Sequence, residues 1–261
     1  MKNTPVARKS LGQNYLVDPH FRKKITEACK PQAGKPIIEI GPGPGSLTEG
    51  LLEAGAHVIV VEMDERFVPG LAELALKYPQ AKLTIHLGDA LKTPLHELAG
   101  EPAPLVGNLP YNVGTQIVAN ALEHGSAAFP HMTFLLQKEV VGRICAQPGD
   151  KDWGRLGVLC DLLSQRQKLF DVPAGAFRPM PKVISSVVSL KPLPTSRLEV
   201  DRKKLENLTR QAFGQRRKML RASLKGLLTE EQITQAGQDP AARPETLPLE
   251  AFVALCAQLQ G

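Results

Sequence analysis

Cysteine is scarce in this chain of 261 residues, and its four cysteines are widely scattered. They stand at Cys29, Cys145, Cys160 and Cys256, and none belongs to a CxxC pair. Structural zinc sites and the disulfide frameworks of small secreted proteins need closely spaced cysteines. We therefore expect buried, reduced thiols, no metal site and a cytoplasmic protein.

Long apolar runs are also missing. No segment approaches the roughly 18 uncharged apolar residues that mark a membrane-spanning helix. The first residues include Lys2, Arg8 and Lys9 but no apolar segment of the kind that a secretory signal needs. With 43% apolar and 22% charged residues, the composition is typical of a soluble globular protein. We expect no membrane partner, and nothing in the sequence requires more than a monomer.

Acidic residues are rare toward both ends of the chain. The formal net charge is +6, and residues 1–30 hold seven Lys or Arg against two acids. Segment 202–225 holds nine basic residues and one acid, Glu206, whereas residues 31–100 hold five basic residues and nine acids. An acidic middle between basic ends is typical of a protein that binds a polyanion at its edges. Composition alone leaves open that the basic segments only keep the protein soluble.

Short apolar runs alternate with amphipathic segments from residue 36 to about residue 190. This alternation predicts an α/β fold with a mostly parallel, Rossmann-like sheet and helices on both faces. Two later runs, 167–172 and 185–190, predict an antiparallel pair at one sheet edge. The other predicted strands are 36–40, 57–62, 83–87, 105–108 and 133–137. The helices predicted among them are 47–54, 66–78, 113–124 and 139–146.

Pro192 and Pro194 interrupt this pattern, because proline removes a backbone donor. Beyond them the pattern is wholly helical. We therefore predict a larger domain at residues 1–195 and a small all-α domain at residues 196–261. The helices predicted in the small domain are 202–213, 215–228, 229–236 and 248–260.

A glycine-rich run, EIGPGPG at residues 39–45, follows the first strand of the alternation. Glycines let the backbone turn sharply and approach a ligand closely. Glu62 stands near the end of the next strand, the usual place for a carboxylate that accepts both hydroxyls of a ribose. Asp89 follows the third strand and is placed to accept from an adenine amine or, alternatively, to cap a helix. Pro42 and Pro44 lack N–H groups, which disfavours a pyrophosphate ligand and favours S-adenosylmethionine, which has no phosphate.

The run Asn108-Leu109-Pro110-Tyr111 ends the fourth strand, at the edge of the sheet where such folds bind ligands. The amino group of adenine is a poor nucleophile, because its lone pair is delocalised into the ring. Two acceptors, the Asn108 side-chain oxygen and the Leu109 carbonyl, would favour a pyramidal nitrogen with a localised lone pair. Pro110 keeps Leu109 out of a helical conformation, and Tyr111 offers a flat face to a splayed-out base. The pattern predicts methyl transfer to a conjugated amine, although an ordinary strand-end turn uses the same residue types.

Taken in order, these motifs resemble the ribosomal RNA adenine dimethyltransferase family. The resemblance includes GQNYL at 12–16, GDA at 88–90, FRPMPKV at 177–183 and RQAFGQRRKMLR at 210–221, and it extends from about residue 8 to the end. It implies a class I methyltransferase fold with S-adenosylmethionine as methyl donor. It is closest to members that dimethylate N6 of two adjacent adenines near the 3′ end of small-subunit rRNA. The implied partner is this RNA or the assembling 30S-type subunit, and the implied role is in small-subunit maturation.

The resemblance also implies roles for single residues. Phe177 would stack on the target base opposite Tyr111, whereas without the family it would be interpreted as a core residue. Two positions depart from the common pattern, with Tyr15 in place of Phe and Ile184 in place of Asp. The residues implied to act in catalysis are Asn108, Leu109, Pro110, Tyr111 and Phe177. The residues implied to bind the cofactor or to close over it are Gln13, Asn14, Leu16, Gly41, Gly43, Glu62, Met63, Asp89, Ala90 and Asn108.

Five basic residues fall within ten positions of the predicted helix 215–228. Three of them are spaced four residues apart, which predicts a shared helix face that contacts RNA phosphates, unless that face is merely solvated. The five residues are Arg216, Arg217, Lys218, Arg221 and Lys225.

Three other functions remain possible from the residues. A large-subunit rRNA adenine methyltransferase of the antibiotic-resistance type would share the chemistry. An RNA-binding assembly factor without transfer activity would share the fold, but the intact motif at 108–111 argues against it. An NAD-dependent oxidoreductase is disfavoured by Pro42 and Pro44 and by the lack of an acid suited to hydride transfer.

Overall fold

The computed structural model describes residues 5, 8, 13–215 and 218–259. The strands in these residues are β1 (Tyr15–Leu16), β2 (Pro36–Ile40), β3 (His57–Glu62), β4 (Lys82–Leu87), β5 (Leu105–Asn108), β6 (Met132–Gln137), β7 (Ser164–Val172), β8 (Phe177–Arg178) and β9 (Ser185–Pro192). The helices are α1 (Pro19–Cys29), α2 (Ser46–Glu53), α3 (Val68–Leu76), α4 (Gly114–Glu123), α5 (Gly125–Ala128), α6 (Lys138–Cys145), α7 (Arg155–Leu163), α8 (Arg202–Gly214), α9 (Leu220–Ser223), α10 (Glu230–Gln235) and α11 (Leu249–Ala257).

Seven strands form one sheet in the order β4-β3-β2-β5-β6-β9-β7. The first five are parallel to their neighbours, and β9 pairs antiparallel with β6. β2 is buried along its whole length because helices cover both faces of a parallel sheet. The edge strand β4 is partly exposed and begins with the exposed Lys82, a residue type that discourages pairing with another chain.

The described chain divides into two compact units. The first runs up to Val141 and includes Gln165–Pro194, and the second holds Gly142–Ser164 and the chain from Thr195 onward. The last crossing between the units coincides with the proline-rich segment where we placed the domain boundary. Our predicted boundary placed Gly142–Ser164 in the larger domain, whereas the structure places it in the second unit. The sequence of this segment does not show which unit its helix packs in. The assignment of one function to each domain stays a prediction.

The first unit contains the sheet and a separate antiparallel pair, β1 and β8. In this pair Leu16 is opposite Phe177, and both side chains lie in the hydrophobic core. The pairing fixes the chain that precedes α1. Helix α1 then begins at Pro19, with the Asp18 side chain accepting from the N–H of Phe21.

The second unit is helical. Helix α8 packs against α7 and α11, and the rings of Phe213 and Phe252 lie 5.5 Å apart. Trp153 is fully buried, and its Nε1 donates to the Leu247 carbonyl at 2.9 Å. Helix α10 has a capping box, in which the Thr229 and Gln232 side chains bond each other's backbone N–H groups.

The sequence-based predictions of the sheet are confirmed, with β9 and the edge strand β7 lying side by side as expected. The helix predicted over 215–228 is wrong. Among the described residues, only Leu220–Ser223 form a helix there. The N–H groups of Leu220 and Arg221 donate to the carbonyls of Ala242 and Pro240 rather than to a preceding helical turn. Gly226, with φ of 84°, then turns the chain away.

The structure describes the cysteines, the helix lengths and the clusters of metal-binding residue types on which the expectations from composition depended. None of the four cysteines forms a disulfide bond, and Cys29, Cys160 and Cys256 are buried. No helix in the described part of the chain is both long and apolar enough to cross a membrane. Within those same residues, no group of three or more His, Cys, Asp or Glu side chains is arranged to hold a metal ion.

We expect Gly45→Ala to destabilise the first unit. Gly45 has φ of 84°, and a Cβ on it would lie 2.8 Å from Leu74 Cδ2. Left-handed backbone costs a non-glycine residue roughly 1–2 kcal/mol, and the overlap adds to that cost. The free energy of unfolding in urea should fall by about 2 kcal/mol or more. Gly70→Ala is the matched control, because a Cβ there meets no atom within 4 Å and helix α3 favours alanine. Equal stability of the two variants would contradict this expectation.

Candidate active site

A deep cleft opens in the first unit at the carboxyl ends of β2, β3, β4 and β5. Its enclosed volume is about 170 Å³, and the cleft opens to solvent at its mouth. The structure brings together in this cleft all ten residues predicted to bind the cofactor. It also places Leu109, Pro110 and Tyr111 on the wall of the cleft.

The glycine-rich turn forms the floor between β2 and α2. Gly41 has φ of 63°, and its N–H donates to the Val61 carbonyl at 2.9 Å, so the turn is anchored on β3. A Cβ on Gly41 would meet no protein atom within 4 Å and would therefore occupy open space. Glycine leaves this space to a ligand that approaches the backbone closely.

Glu62 is the acid at the end of β3, and it is buried. Its Oε2 accepts from Gly43 N at 3.0 Å and its Oε1 accepts from Asp64 N at 2.8 Å. Burial raises the pKa of Glu62, while these backbone hydrogen bonds act in the opposite direction. Since each carboxylate oxygen has two acceptor positions, both oxygens can still receive the hydroxyls of a ribose.

Asp89 follows β4, and the sequence left two roles open for it, acceptor for an adenine amine or helix cap. Its Oδ1 accepts from Leu91 N at 2.9 Å, which caps a turn rather than a helix. The carboxylate is thereby held at the wall of the cleft. The neighbouring side chain of Met63 is 53% exposed and supplies an apolar surface for a flat ring.

Asn108 is oriented by the N-terminal segment. Its Nδ2 donates to the Asn14 carbonyl at 2.9 Å, so its Oδ1 is the end of the amide that remains to accept from a ligand. Leu109 N donates to Leu135 O, and the following turn closes on the Pro110 carbonyl through Val113 N and Gly114 N. Among the described residues, no donor is bonded to the Leu109 carbonyl. The two acceptors that the sequence predicted are thus adjacent and fixed by backbone contacts.

Tyr111 is half-buried, and its hydroxyl is 2.8 Å from Ser185 Oγ. Burial raises its pKa, and the hydrogen bond with Ser185 lowers it. Ser185 is fully buried on β9, directly after Ile184, the residue that departs from the family pattern. The sequence analysis did not assign Ser185 a role. The bond fixes the ring of Tyr111, which is what a stacking surface requires.

The expected role of Phe177 needs correction. Its side chain is 0% exposed and lies in the hydrophobic core, opposite Leu16 in the β1–β8 pair. It is not part of the cleft wall, so neither face of its ring is open to a base opposite Tyr111. The interpretation of Phe177 as a core residue, which follows from the general behaviour of lone aromatics, describes this structure.

The basic residues assigned to RNA lie in the second unit. Arg216 and Arg217 fall outside the described residues. Lys218, Arg221 and Lys225 are exposed, but they do not share a helix face because α9 ends at Ser223. Exposed cations on a turn remain suitable for phosphate contacts.

Two acidic residues, one in the cleft wall and one beside it, were missed by the sequence analysis. One is Glu39, which is buried and whose Oε2 accepts from Thr48 Oγ1 at 2.7 Å. The other is Asp64, which bonds Gln13 and Arg66. An acid inside a buried apolar strand was a visible signal for Glu39. Asp64 and Gln13 lie 51 residues apart in the chain, so no local pattern indicated their contact.

The sheet order and the cleft at its carboxyl edge define a class I methyltransferase, and two solved structures share this fold. The dimethyladenosine transferase from Plasmodium falciparum is 26% identical, with a TM-score of 0.76 over 92% of this chain and 95% of its own. The 23S rRNA methyltransferase ErmE is 26% identical, with a TM-score of 0.70 over 94% of this chain and 99% of its own.

Sequence comparison gives the family. A curated relative, the Ribosomal RNA small subunit methyltransferase A of Agrobacterium fabrum, is 49% identical over 95% of this chain and 91% of its own length. The ribosomal RNA adenine dimethylase family matches residues 5–259. The chain belongs to this family and is an S-adenosylmethionine-type rRNA methyltransferase by fold and by descent.

Glu39 should make stability depend on pH. Burial raises its pKa from 4.5 to about 8, so the folded protein binds this proton more tightly than the unfolded chain does. Its contribution to the free energy of unfolding should therefore be fully present below pH 4.5 and should fall as the pH rises toward 8, by at most about 1.4 kcal/mol per pH unit. Glu39→Gln should remove this part of the slope in urea titrations at several pH values, and Glu53→Gln, at an exposed position, should keep it. Parallel slopes in wild type and Glu39→Gln would refute the argument.

Proposed function

We propose that this protein transfers methyl groups from S-adenosylmethionine to N6 of two adjacent adenines near the 3′ end of small-subunit rRNA. The product would be N6,N6-dimethyladenine, made during maturation of the small subunit. The observation that carries the proposal is the orientation of Asn108, whose Nδ2 is bonded to the Asn14 carbonyl at the carboxyl edge of the sheet. The name of the relative from Agrobacterium fabrum supports the choice of the small subunit.

The donor fits the cleft. The open space above Gly41 admits a ligand where a side chain would block it. Glu62 would accept from the ribose hydroxyls, Asp89 from the adenine amine, and Met63 would cover the adenine ring. Bound S-adenosylmethionine supplies a methyl group on a positively charged sulfur. The absence of a phosphate in this molecule agrees with a turn in which Pro42 and Pro44 provide no N–H groups.

Residues 108–111 would bind the adenine that receives the methyl group. Asn108 Oδ1 and the Leu109 carbonyl would each accept one N–H of the adenine amino group. Two such bonds favour a pyramidal nitrogen, whose localised lone pair faces the methyl group. Tyr111, fixed by Ser185, would stack on the base and hold it in place. Attack by this lone pair would form an N–CH3 bond while the S–CH3 bond breaks, and the sulfur would leave as a neutral thioether. The methylated nitrogen would carry positive charge and would lose its proton to water, so positioning by residues 108–111 can replace a strong base.

The test is a transfer assay with purified protein, S-adenosylmethionine labelled in its methyl group, and unmethylated small or large ribosomal subunits. We expect label in N6,N6-dimethyladenine of the small subunit. Asn108→Ala should keep the fold and RNA binding but reduce transfer by a factor of about 10² or more, because it removes an acceptor used in the transition state. Label in the large subunit would support the resistance-type alternative, and RNA binding without label would support an assembly factor. Near-normal transfer by Asn108→Ala would contradict the mechanism.

We also propose that Lys218, Arg221 and Lys225 contact RNA phosphates. All three are exposed basic residues on the second unit. Contacts of this kind position the RNA without reading its sequence, and each releases counterions from the RNA.

Replacing these three residues together by alanine should weaken RNA binding and flatten its dependence on salt. The slope of log affinity against log salt concentration should fall by about 2 for three lost phosphate contacts. Filter binding or anisotropy at several salt concentrations measures this slope. Lys35, Lys77 and Lys92, exposed residues of the acidic middle, give a control triple variant with the same change in net charge. Equal slopes for the two triple variants would show that only net charge matters.

A further inference from the structure

Residues 13–16, the N-terminal strap, contact the cleft from three sides. The Asn14 carbonyl accepts from Asn108 at the end of β5. The ring of Tyr15 lies edge-on to Phe67, with centroids 5.6 Å apart, and its edge is 3.4 Å from where a Cβ on Gly43 would be. The strap therefore contacts both the glycine-rich turn and the segment that accepts the base.

The third contact of the strap is made by the Gln13 side chain. Its Nε2 donates to Asp64 Oδ2 at 3.1 Å, and its Oε1 accepts from the Tyr15 hydroxyl at 2.7 Å. Arg8 N also donates to this Oε1, at 2.8 Å. Because one end of an amide only donates and the other only accepts, these bonds determine which way the Gln13 side chain is turned. The hydroxyl that holds Oε1 exists because Tyr15 replaces the phenylalanine common at this position.

Asp64, the partner of Gln13, is itself held in place by Arg66. Its side chain is buried, and both oxygens accept from Arg66, Oδ1 from Nε at 2.8 Å and Oδ2 from Nη2 at 2.5 Å. These bonds to Arg66 hold the pKa of Asp64 well below its usual range, so it is an ionised acceptor at neutral pH. Its backbone N–H donates to Glu62 Oε1 at 2.8 Å.

Asp64 thus makes two different hydrogen-bonded contacts, one through its backbone and one through its side chain. The backbone of Asp64 orients the acid that faces the ribose, and its side chain holds the strap through Gln13. The next residue of the strap, Asn14, orients Asn108 at the place of methyl transfer. Three hydrogen bonds, linked through Asp64 itself and through the chain from Gln13 to Asn14, therefore connect Glu62 with Asn108.

We propose that Asp64 is a positioning residue for the methyl donor, which clamps the strap over the cleft through Gln13 while it orients Glu62. This inference rests on the proposed function, since it takes S-adenosylmethionine as the ligand. Asp64 does not touch the ligand itself. Its effect passes through Gln13 and the strap on one side and through Glu62 on the other.

The test is a pair of variants that exchanges the carboxylate and the amide between the two positions. In Asp64→Asn an NH2 group replaces one of the two oxygens, so at least one N–H group of Arg66 or Gln13 that now donates to Asp64 would face another donor. The negative charge that attracts Arg66 is lost as well. In Gln13→Glu two carboxylates face each other. The double variant, Gln13→Glu with Asp64→Asn, restores the pairing, because the new amide would donate to the new carboxylate and accept from Arg66. Its net charge equals that of the wild type.

The readout is the Kd for S-adenosylhomocysteine, the stable product of the donor, measured by isothermal titration calorimetry. We expect each single variant to bind about tenfold more weakly, which corresponds to about 1.4 kcal/mol, and the double variant to return to within about twofold of wild type. In transfer assays, KM for S-adenosylmethionine should rise more than kcat falls. Thermal unfolding of each variant shows that it is folded. A merely structural role for Asp64 would not produce rescue by a second change that is itself harmful.

Two outcomes would overturn the proposal and are distinguishable. If wild type fails to bind S-adenosylhomocysteine, the proposed function is wrong and this inference with it. If wild type binds and Asp64→Asn binds equally well, or the double variant binds no better than the weaker single variant, the inference alone is wrong.

Discussion

The hydrogen-bonded register between β2 and β5 is the constraint on which the site depends. The two strands are parallel, with Ile40 opposite Gly107, so the glycine-rich turn and residues 108–111 leave the sheet side by side. β3 lies on the other side of β2, and Glu62 at its end reaches back to Gly43. A donor bound over the turn would therefore lie next to residues 108–111. Because parallel strands end at the same edge, the chemistry is concentrated where their carboxyl ends meet.

Sequence reasoning worked best where local pattern and packing agree. β2 and β3 are apolar runs bounded by turn signals, and both were predicted at the positions where they occur. Motifs at strand ends predicted Gly41, Glu62 and Asp89, and the resemblance to the family supplied most of the other residues expected to bind the cofactor. The structure places all of them in one cleft. In the second unit, the helices predicted at 202–213 and 229–236 begin within one residue of α8 and α10, which Asp201 and Thr229 cap.

Sequence reasoning failed where contacts between residues far apart in the chain determine the local structure. The apolar spacing of Leu220, Leu224 and Leu228 predicts a helix, and all three are buried, but backbone bonds to residues 240 and 242 limit that helix to one turn. Phe177 belongs to a motif, yet its pairing with Leu16 places it in the core. Asp64 and Ser185 acquire their importance from partners 51 and 74 residues away. No periodicity in the chain records such contacts, because they depend on the completed fold.

Segment Gly142–Ser164 belongs to the second unit although it lies between two parts of the first, and this has a consequence for folding during synthesis. That segment contributes Trp153, whose ring fills space beside Gly157 and whose indole N–H is satisfied by Leu247. A ribosome releases Trp153 well before its partner, which lies 94 residues further along the chain. The indole of Trp153 therefore finds its acceptor only after residue 247 has been made, and the helical unit cannot close before then. The five parallel strands are made first and can pair earlier, before β7 and β9 are synthesised.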